Sequence, residues 1–297
     1  MKRRVLLLLP LLLPLAPEAG TARADSADST RGAARAQASA ASSNPLSAGD
    51  SLAGRNPAIV VGEKLTFSVR YGVVKAGTAV LSMVGKQRVG DRTAYRLEAT
   101  TTSNAVFDQI YRVRDQLISL MDAQQLTSLY FEKHLREGNY KADQAVRFED
   151  GMATYQDGRQ FPIPPRIYDA LAAFYRVRAA PLQVGQEFML QSHADRKNYP
   201  IEVRVTGREE IDAPAGRFHC LKVEPKIRSG AFFKNEGQLI LWLTDDARKM
   251  PVLMQSKIPV GSISVVLTDY VRPGEEAGAG GGTPSGAPPQ GSAETGR

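Results

Sequence analysis

The sequence predicts a mainly β protein, a curved antiparallel sheet or half-barrel of roughly ten strands or more with one amphipathic helix across it. Three observations predict this class. Apolar residues recur at every second position in many segments, turn residues separate those segments at short intervals, and one segment instead has helical periodicity.

The alternation is clearest in residues 65–71, 95–99, 201–205 and 263–267. Successive side chains of a strand point to opposite faces, so this pattern gives each strand one buried face and one face in water. Turn signals such as Gly90-Asp91 and Pro214-Ala215-Gly216 separate the strands. The short connections predict a meander.

Residues 166–178 are predicted to form the helix, because Pro165 precedes them and Pro181 follows them. The apolar positions of this segment form one helical stripe: Ile167, Leu171, Phe174 and Val177. We expect the stripe to face the concave side of the sheet and Arg176 and Arg178 to face water.

Residues 1–24 have the pattern of a cleaved signal peptide. A basic start is followed by a short apolar run, which Pro10 and Pro14 interrupt, and by the small-x-small site Ala22-Arg23-Ala24. The run is shorter than the roughly 20 residues that a membrane-spanning helix needs, although an uncleaved anchor is the alternative. No cysteine lies directly after the run, so we expect no lipoprotein anchor. We also expect no stable transmembrane anchor and a periplasmic location.

The rest of the chain divides into three parts by composition. Residues 25–57 are rich in Ala and Ser and 272–297 in Gly and Pro, and both lack the large apolar residues that a packed core needs. We predict a disordered tether and a disordered tail. Between them, residues 58–271 form a single β-rich domain.

Charge and cysteine usage narrow the possible partners. The chain has 38 basic and 31 acidic residues, and the signal peptide removes four basic residues and one acidic residue, which leaves a net charge of +4. This charge is spread through the strands, so we expect no nucleic-acid partner. The single cysteine, Cys220, cannot form an internal disulfide; a buried, inert thiol is favoured over a reactive one.

Catalytic and metal motifs are absent from the sequence. His134, His193 and His219 lie on separate segments without a metal-ligand spacing, and no nucleophile or nucleotide motif is present. We therefore assign no catalytic, cofactor-binding or metal residues and predict no cofactor. A hydrolase that uses carboxylates such as Asp245 and Asp246 is the least favoured interpretation, because these two fit a turn better.

Large apolar side chains suggest one candidate site. Four of them could form an adaptable wall for a hydrophobic ligand: Phe174, Tyr175, Trp242 and Met254. Plain core packing is the competing interpretation of the same residues.

Four segments together resemble a known family: residues 65–79, 169–178, 216–225 and 241–246 with Pro251-Val252. They are similar to a bacterial envelope family known as domain of unknown function 3108, over about residues 63–267. The resemblance implies an exported β protein without an assigned activity, and it supplies no site residues. A looser resemblance of architecture is to the periplasmic lipoprotein-carrier half-barrels, which implies a container for an acyl chain.

Two functions from different classes follow. In the first, the protein is a periplasmic module that binds a hydrophobic or lipid-like ligand, with a lipid or lipidated protein as partner. In the alternative, it is an envelope assembly or interaction factor with a filled core. Enzymatic activity is not expected, and the sequence leaves the oligomeric state open.

Overall fold

The computed structural model describes residues 56–227, 239–257 and 261–275. The predicted signal peptide and most of the predicted tether and tail lie outside the described residues. Within them the chain forms two helices, α1 (Ala105–Asp108) and α2 (Ala170–Arg178), and fifteen strands. The strands are β1 (Lys64–Tyr71), β2 (Val74–Val89), β3 (Arg92–Ser103), β4 (Arg114–Asp122), β5 (Ser128–Glu137), β6 (Tyr140–Glu149), β7 (Met152–Tyr155), β8 (Gln160–Pro162), β9 (Ile167–Tyr168), β10 (Glu187–Ala194), β11 (Lys197–Ala213), β12 (Gly216–Ile227), β13 (Leu239–Thr244), β14 (Pro251–Lys257) and β15 (Ser262–Val271).

All fifteen strands belong to one sheet, in the order β8-β7-β6-β5-β4-β3-β2-β1-β15-β14-β13-β12-β11-β10-β9. The first meander runs from β1 to β8, and the second returns from β9 to β15. The two meet in the middle, where Lys64 pairs with Val271 and Tyr71 with Ile263. The predicted class is confirmed: the protein is mainly β, with one large sheet that main-chain pairing does not close into a barrel.

The sheet has two ends, which the strand directions define. At the rim end lie the β1–β2 turn, the β3–β4 segment, the β5–β6 turn and the β10–β11 turn. At the helix end lie the β2–β3, β4–β5, β6–β7, β11–β12 and β13–β14 connections. Asp245 and Asp246 lie in the last of these, which confirms the turn predicted for them.

Helix α2 crosses the helix end inside the sheet, and every one of its residues is buried. Its N-cap, Asp169, accepts hydrogen bonds from the amides of Leu171 and Ala172 at 2.9 and 3.0 Å. The Asp169 carboxylate also accepts from the hydroxyls of Ser119 and Ser128 at 2.7 and 2.5 Å. The two serine contacts fix the start of the helix to β4 and β5.

The helix is shorter than predicted. It begins at Ala170 rather than Arg166, because Ile167 and Tyr168 pair in parallel with Gln191 and Ser192 and form β9. Arg166 has a backbone φ of 59°, which ends any helical path through it.

The prediction that Arg176 and Arg178 face water is wrong, since both are buried. The two Arg178 Nη atoms donate to the Glu63 carboxylate at 2.7 and 2.9 Å, and its Nε donates to the Lys249 carbonyl. The buried Arg272 also donates to Glu63. A carboxylate between two guanidinium groups therefore compensates charges that helical periodicity alone would place outside.

Contacts continue on both sides of the predicted 58–271 boundaries. The Asn56 side chain donates to the Ala179 carbonyl at 2.9 Å, just after α2. Arg272 donates to the Pro57 carbonyl at 2.6 Å in addition to its contact with Glu63. The described residues just outside these boundaries are therefore bound to the helix end of the sheet.

Side chains bridge the two ends of the strand order across a seam between β5–β8 and the β10–β11 hairpin. The Tyr155 hydroxyl lies 2.8 Å from His193 Nε2, and His193 Nδ1 lies 2.7 Å from Asn198 Oδ1. Asn198 in turn donates to the Pro162 carbonyl at 2.9 Å. Hydrogen bonds of hydroxyl, imidazole and amide groups thus join the two sides of the seam. No main-chain ladder joins β8 and β9 in the described residues.

Candidate functional site

The rim end carries the three most exposed aliphatic side chains of the described residues. Val73 is 92%, Ile110 80% and Val106 68% exposed, and Val74 is more than half exposed. These four residues are called the apolar rim below. Scattered apolar residues are normal on a protein surface, but a group of the most exposed ones at one end marks an interaction surface.

Hydrogen bonds bring the two halves of the apolar rim together. The Asn104 side chain donates to the Lys75 carbonyl at 2.7 Å, and the Asn104 amide donates to the Ala76 carbonyl at 2.9 Å. Asn104 Oδ1 also accepts from the Phe107 amide and so caps α1. The β1–β2 turn and the β3–β4 segment are therefore neighbours at the rim end.

A second set of contacts holds the β3–β4 segment in place. Arg114 Nη2 donates to Asp108 at 2.6 Å, and the Ser103 hydroxyl donates to the same carboxylate. These contacts lower the pKa of Asp108. The exposed Val106 and Ile110 thus lie on a segment that is tied down on both sides.

Gly77 permits the close approach of β2 and β3 beside the apolar rim. A Cβ atom at this position would lie 2.3 Å from the Thr102 carbonyl oxygen, closer than any real contact. A larger residue would push β3 away and move the segment that carries α1.

Basic side chains accompany the apolar rim. Lys75 follows Val74 directly and Arg112 lies two residues after Ile110, and both are exposed. Aliphatic side chains with cationic neighbours are the combination that favours an anionic lipid surface.

A pair of buried acidic groups lies at the same end. Asp115 and Glu137 are each at most 4% exposed, and Asp115 Oδ1 accepts from the Arg136 amide at 2.8 Å. Burial, the negative charge of Asp115 and the hydrogen bond between the two carboxyl groups raise the pKa of Glu137 to about 7. Burial also raises the pKa of Asp115. The pair therefore shares a proton in the neutral range.

Tyr111, between Ile110 and Arg112, links the acid pair to the apolar rim. Burial and the neighbouring charges of Glu137 and Asp115 raise the pKa of its phenol to about 12. The phenol therefore stays protonated, and its hydrogen bond with Glu137 lowers the pKa of that carboxyl group. Gain or loss of the proton on the pair therefore acts on the hydrogen bond of Tyr111, the residue that follows Ile110.

The four predicted wall residues do not lie together. Phe174, Tyr175 and Met254 belong to the one large core, where Phe174 packs edge-to-face on Tyr175. Trp242 faces away from this core, in a separate cluster with Cys220 and Val252, and its Nε1 donates to Glu209 at 2.8 Å. The interior therefore holds three of the four, packed against protein atoms.

Cysteine and histidine residues have different surroundings. Cys220 is buried, and desolvation with nearby acidic groups raises its pKa to about 12, so the thiolate needed for nucleophilic chemistry does not form at neutral pH. His134 lies between Glu132 and Asp143, which raise its pKa. In the described part of the chain, no three His, Cys, Asp or Glu side chains are arranged to hold a metal ion.

Sequence reasoning missed the apolar rim, although a signal was present. Gly72-Val73-Val74-Lys75 places one valine in a turn, where polar residues are usual, and a second directly after it. The acid pair left no such signal, because Asp115 and Glu137 look like ordinary strand residues until β4 and β5 pair.

A family model for proteins of unknown function, DUF3108, matches residues 66–268. No curated protein is significantly similar to the chain. A β-barrel-like protein of unknown function (DUF1849) from Brucella abortus is similar in structure at 9% identity and a TM-score of 0.49, over 71% of this chain and 97% of that one.

Two further solved structures are more distant. A candidate exported protein with a YmcC-like fold from Bacteroides fragilis has 14% identity and a TM-score of 0.31, over 71% of this chain and 96% of that one. MucB has 12% identity and a TM-score of 0.28, over 77% of this chain and 61% of its own. Neither helix of the described residues is long and apolar enough to cross a bilayer.

Proposed function

The chain belongs to the DUF3108 family of proteins of unknown function, and we propose that it is an exported protein of the cell envelope that docks on an anionic lipid surface through its apolar rim. The observation that carries this proposal is that the three most exposed aliphatic side chains of the described residues lie together at one end of the sheet.

Hydrophobic contact supplies the main driving force. Burial of one Val or Ile side chain is worth about 1.5–3 kcal/mol, so partial insertion of several at once is enough for reversible attachment. Lys75 and Arg112 add attraction of about 1 kcal/mol each near an anionic bilayer. Both contributions act at the same end of the molecule.

The position of the chain ends supports the same orientation. Lys64 and Val271 are paired at the helix end, opposite the apolar rim. The segments before β1 and after β15 therefore depart from the far end, and the rim can approach a flat surface.

Vesicle binding tests the proposal. The protein is sedimented with vesicles of phosphatidylethanolamine and phosphatidylglycerol, and separately with vesicles of phosphatidylcholine alone. We expect binding to the anionic vesicles and roughly tenfold or greater weakening in the double variant Val73→Gln/Ile110→Gln, because two inserted side chains are lost. Lys75→Gln/Arg112→Gln should weaken binding to anionic vesicles only.

Val84→Gln is the matched control, since Val84 is also about half exposed but lies on β2 away from the rim end. Equal weakening by this control, or no vesicle binding by the unmodified protein, would reject the lipid surface. If the rim variants instead abolish a complex with an envelope protein and leave vesicle binding unchanged, the assembly-factor alternative is correct.

The interior-carrier hypothesis stays a prediction with its own test. Native mass spectra of the purified protein before and after delipidation would reveal a retained lipid. The rim variants leave Phe174, Tyr175 and Met254 untouched, so loss of surface binding and loss of an internal ligand are distinguishable.

A further inference from the structure

The acid pair at the rim end contains a buried oxygen that needs a hydrogen-bond donor. Asp115 Oδ1 accepts from the Arg136 amide at 2.8 Å, whereas Asp115 Oδ2 is buried and has no donor among the described residues. The neighbouring Glu137 is 3% exposed, and its carboxyl group forms a hydrogen bond with Asp115. Two ionised carboxylates have no hydrogen between them, so this contact requires a proton on one of the two. Asp115 Oδ2 is the atom left to accept it.

Contacts of the same region hold the β3–β4 segment of the apolar rim in place. The Tyr111 ring lies directly on Gly138, where an added Cβ atom would be 2.9 Å from the ring carbon Cε2. The Gly138 amide donates to the Arg112 carbonyl at 2.7 Å, and the Tyr111 phenol forms a hydrogen bond with Glu137. The segment is thus bound to the end of β5 through three neighbouring contacts, and one of them depends on the acid pair.

Loss of the shared proton places two negative charges side by side in the interior. Their repulsion is strong in a medium of low polarity, and neither carboxylate can be hydrated while both stay buried. Movement of Glu137 toward water relieves the repulsion, but it takes away the hydrogen-bond partner of the Tyr111 phenol. The β3–β4 segment then loses one of its contacts, and the rim end gains a negative charge.

Other titratable groups lie on the strands around the pair. Arg136 of β5 acts on Asp115, and Tyr140 of β6 lies opposite Glu137. His134 lies on the same strand as Glu137, and two acidic neighbours raise its pKa, so it also gains charge as the pH falls. The effect of His134 must therefore be separated from that of the pair.

We propose that the acid pair is a proton switch for the apolar rim, which docks on an anionic lipid surface while the pair holds its proton and detaches when the proton is lost. This inference rests on the proposed docking function and adds its regulation. An anionic surface attracts protons, so the local pH there is about half a unit lower than in solution. The surface itself therefore favours the docking form.

Vesicle sedimentation between pH 5.5 and 8.5 tests the switch, with phosphatidylethanolamine and phosphatidylglycerol as the lipids. We expect the affinity of the unmodified protein to fall about fivefold or more as the pH rises through 7, because the rim end gains one negative charge. Glu137→Gln keeps a donor for Asp115 and imitates the protonated pair, so its affinity should stay high throughout. Asp115→Asn removes the repelling neighbour, so the fall should move to lower pH.

His134→Gln and Glu149→Gln are the controls, and both should keep the fall, since Glu149 lies at the other end of β6. A fall that persists in Glu137→Gln, or that His134→Gln abolishes, would overturn the switch. Binding of the unmodified protein that does not depend on pH would also overturn it and leave the docking proposal intact. No binding at any pH would reject docking itself, and the switch with it. If Glu137→Gln does not fold, the shift in Asp115→Asn decides.

Discussion

Glu63 accepts hydrogen bonds from two buried arginines, so its charge cannot be removed without leaving both guanidinium groups uncompensated. We expect Glu63→Gln to lower the free energy of unfolding by about 3–5 kcal/mol, measured by urea denaturation. Asp245→Asn, which removes the partner of the exposed Arg208, should cost less than about 1 kcal/mol. Similar losses in the two variants would show that the buried contact is not needed.

The acid pair predicts a stability that depends on pH in the neutral range. The folded state raises the pKa of Glu137 from 4.5 to about 7, so it holds a proton that the unfolded chain releases earlier. This contribution is fully present below pH 4.5 and is lost as the pH rises through 7. Glu137→Gln should remove that loss in a Tm series between pH 4.5 and 8.

Glu149→Gln is the control for this series, because Glu149 is exposed at the other end of β6. An unchanged pH profile in Glu137→Gln would contradict the shared proton. A profile that changes equally in both variants would point to overall charge as the cause.

Single residues were the hardest to predict from sequence. Arg178 and Glu63 are 115 positions apart, and Arg272 and Glu63 are 209 apart. Helical periodicity depends only on neighbours within a few turns, so it placed Arg176 and Arg178 outside. The same limit hid the acid pair, whose members meet only when β4 and β5 lie side by side.

At the scale of elements, Asp169 does more than cap α2. Asp169→Ala removes the cap and leaves the buried Ser119 and Ser128 hydroxyls without an acceptor, so we expect a loss of about 2–4 kcal/mol in the free energy of unfolding. Asn104→Ala removes the more accessible cap of α1 and should cost about 1 kcal/mol. Equal costs in chemical denaturation would mean that the two serines do not contribute.

Elements with strict alternation were predicted well. Residues 65–71 and 263–267 lie within β1 and β15, and residues 201–205 lie within the much longer β11. Alternation identifies a half-buried strand because the pattern is local. The two-residue strand β9 was missed because only its pairing with β10 makes it a strand, and that partner lies beyond α2.

At the scale of the whole molecule, the seam should respond to acid. The Asn198 Oδ1 atom can only accept, so His193 Nδ1 carries a hydrogen and, in the neutral imidazole, Nε2 accepts from the Tyr155 hydroxyl. Burial lowers the pKa of His193 below 6.5. Its contribution to stability is therefore present above pH 6.5 and is lost as the pH falls.

Hydrogen exchange at the seam would measure this effect locally. Between pH 7.5 and 5.5, after correction for intrinsic rates, deuterium uptake should rise in β7, β8 and the β10–β11 turn but not in β1 and β15. Tyr155→Phe should show the higher uptake already at neutral pH. Uptake that does not depend on pH at the seam would rule out His193 as its proton sensor.

Overall architecture could be predicted from the sequence because a repeated two-residue period and short turns leave few alternatives. The order of the strands could not. Pairing of β1 with β15 joins residues 202 positions apart, as in the contact of the Thr268 hydroxyl with the Thr66 carbonyl. The sequence of neither strand indicates which strand it pairs with.

That central pairing sets the order in which a newly made chain can fold. Chains emerge N-terminus first during synthesis and during the predicted export, so β1 appears long before β15. Until then β1 pairs only with β2 and its other edge is open, so Leu65, Phe67 and Val69, which are buried in the finished protein, lack the neighbours that β15 supplies. The first meander keeps this open edge until the second meander is complete. Arrival of the last strand is thus the step at which folding competes with aggregation.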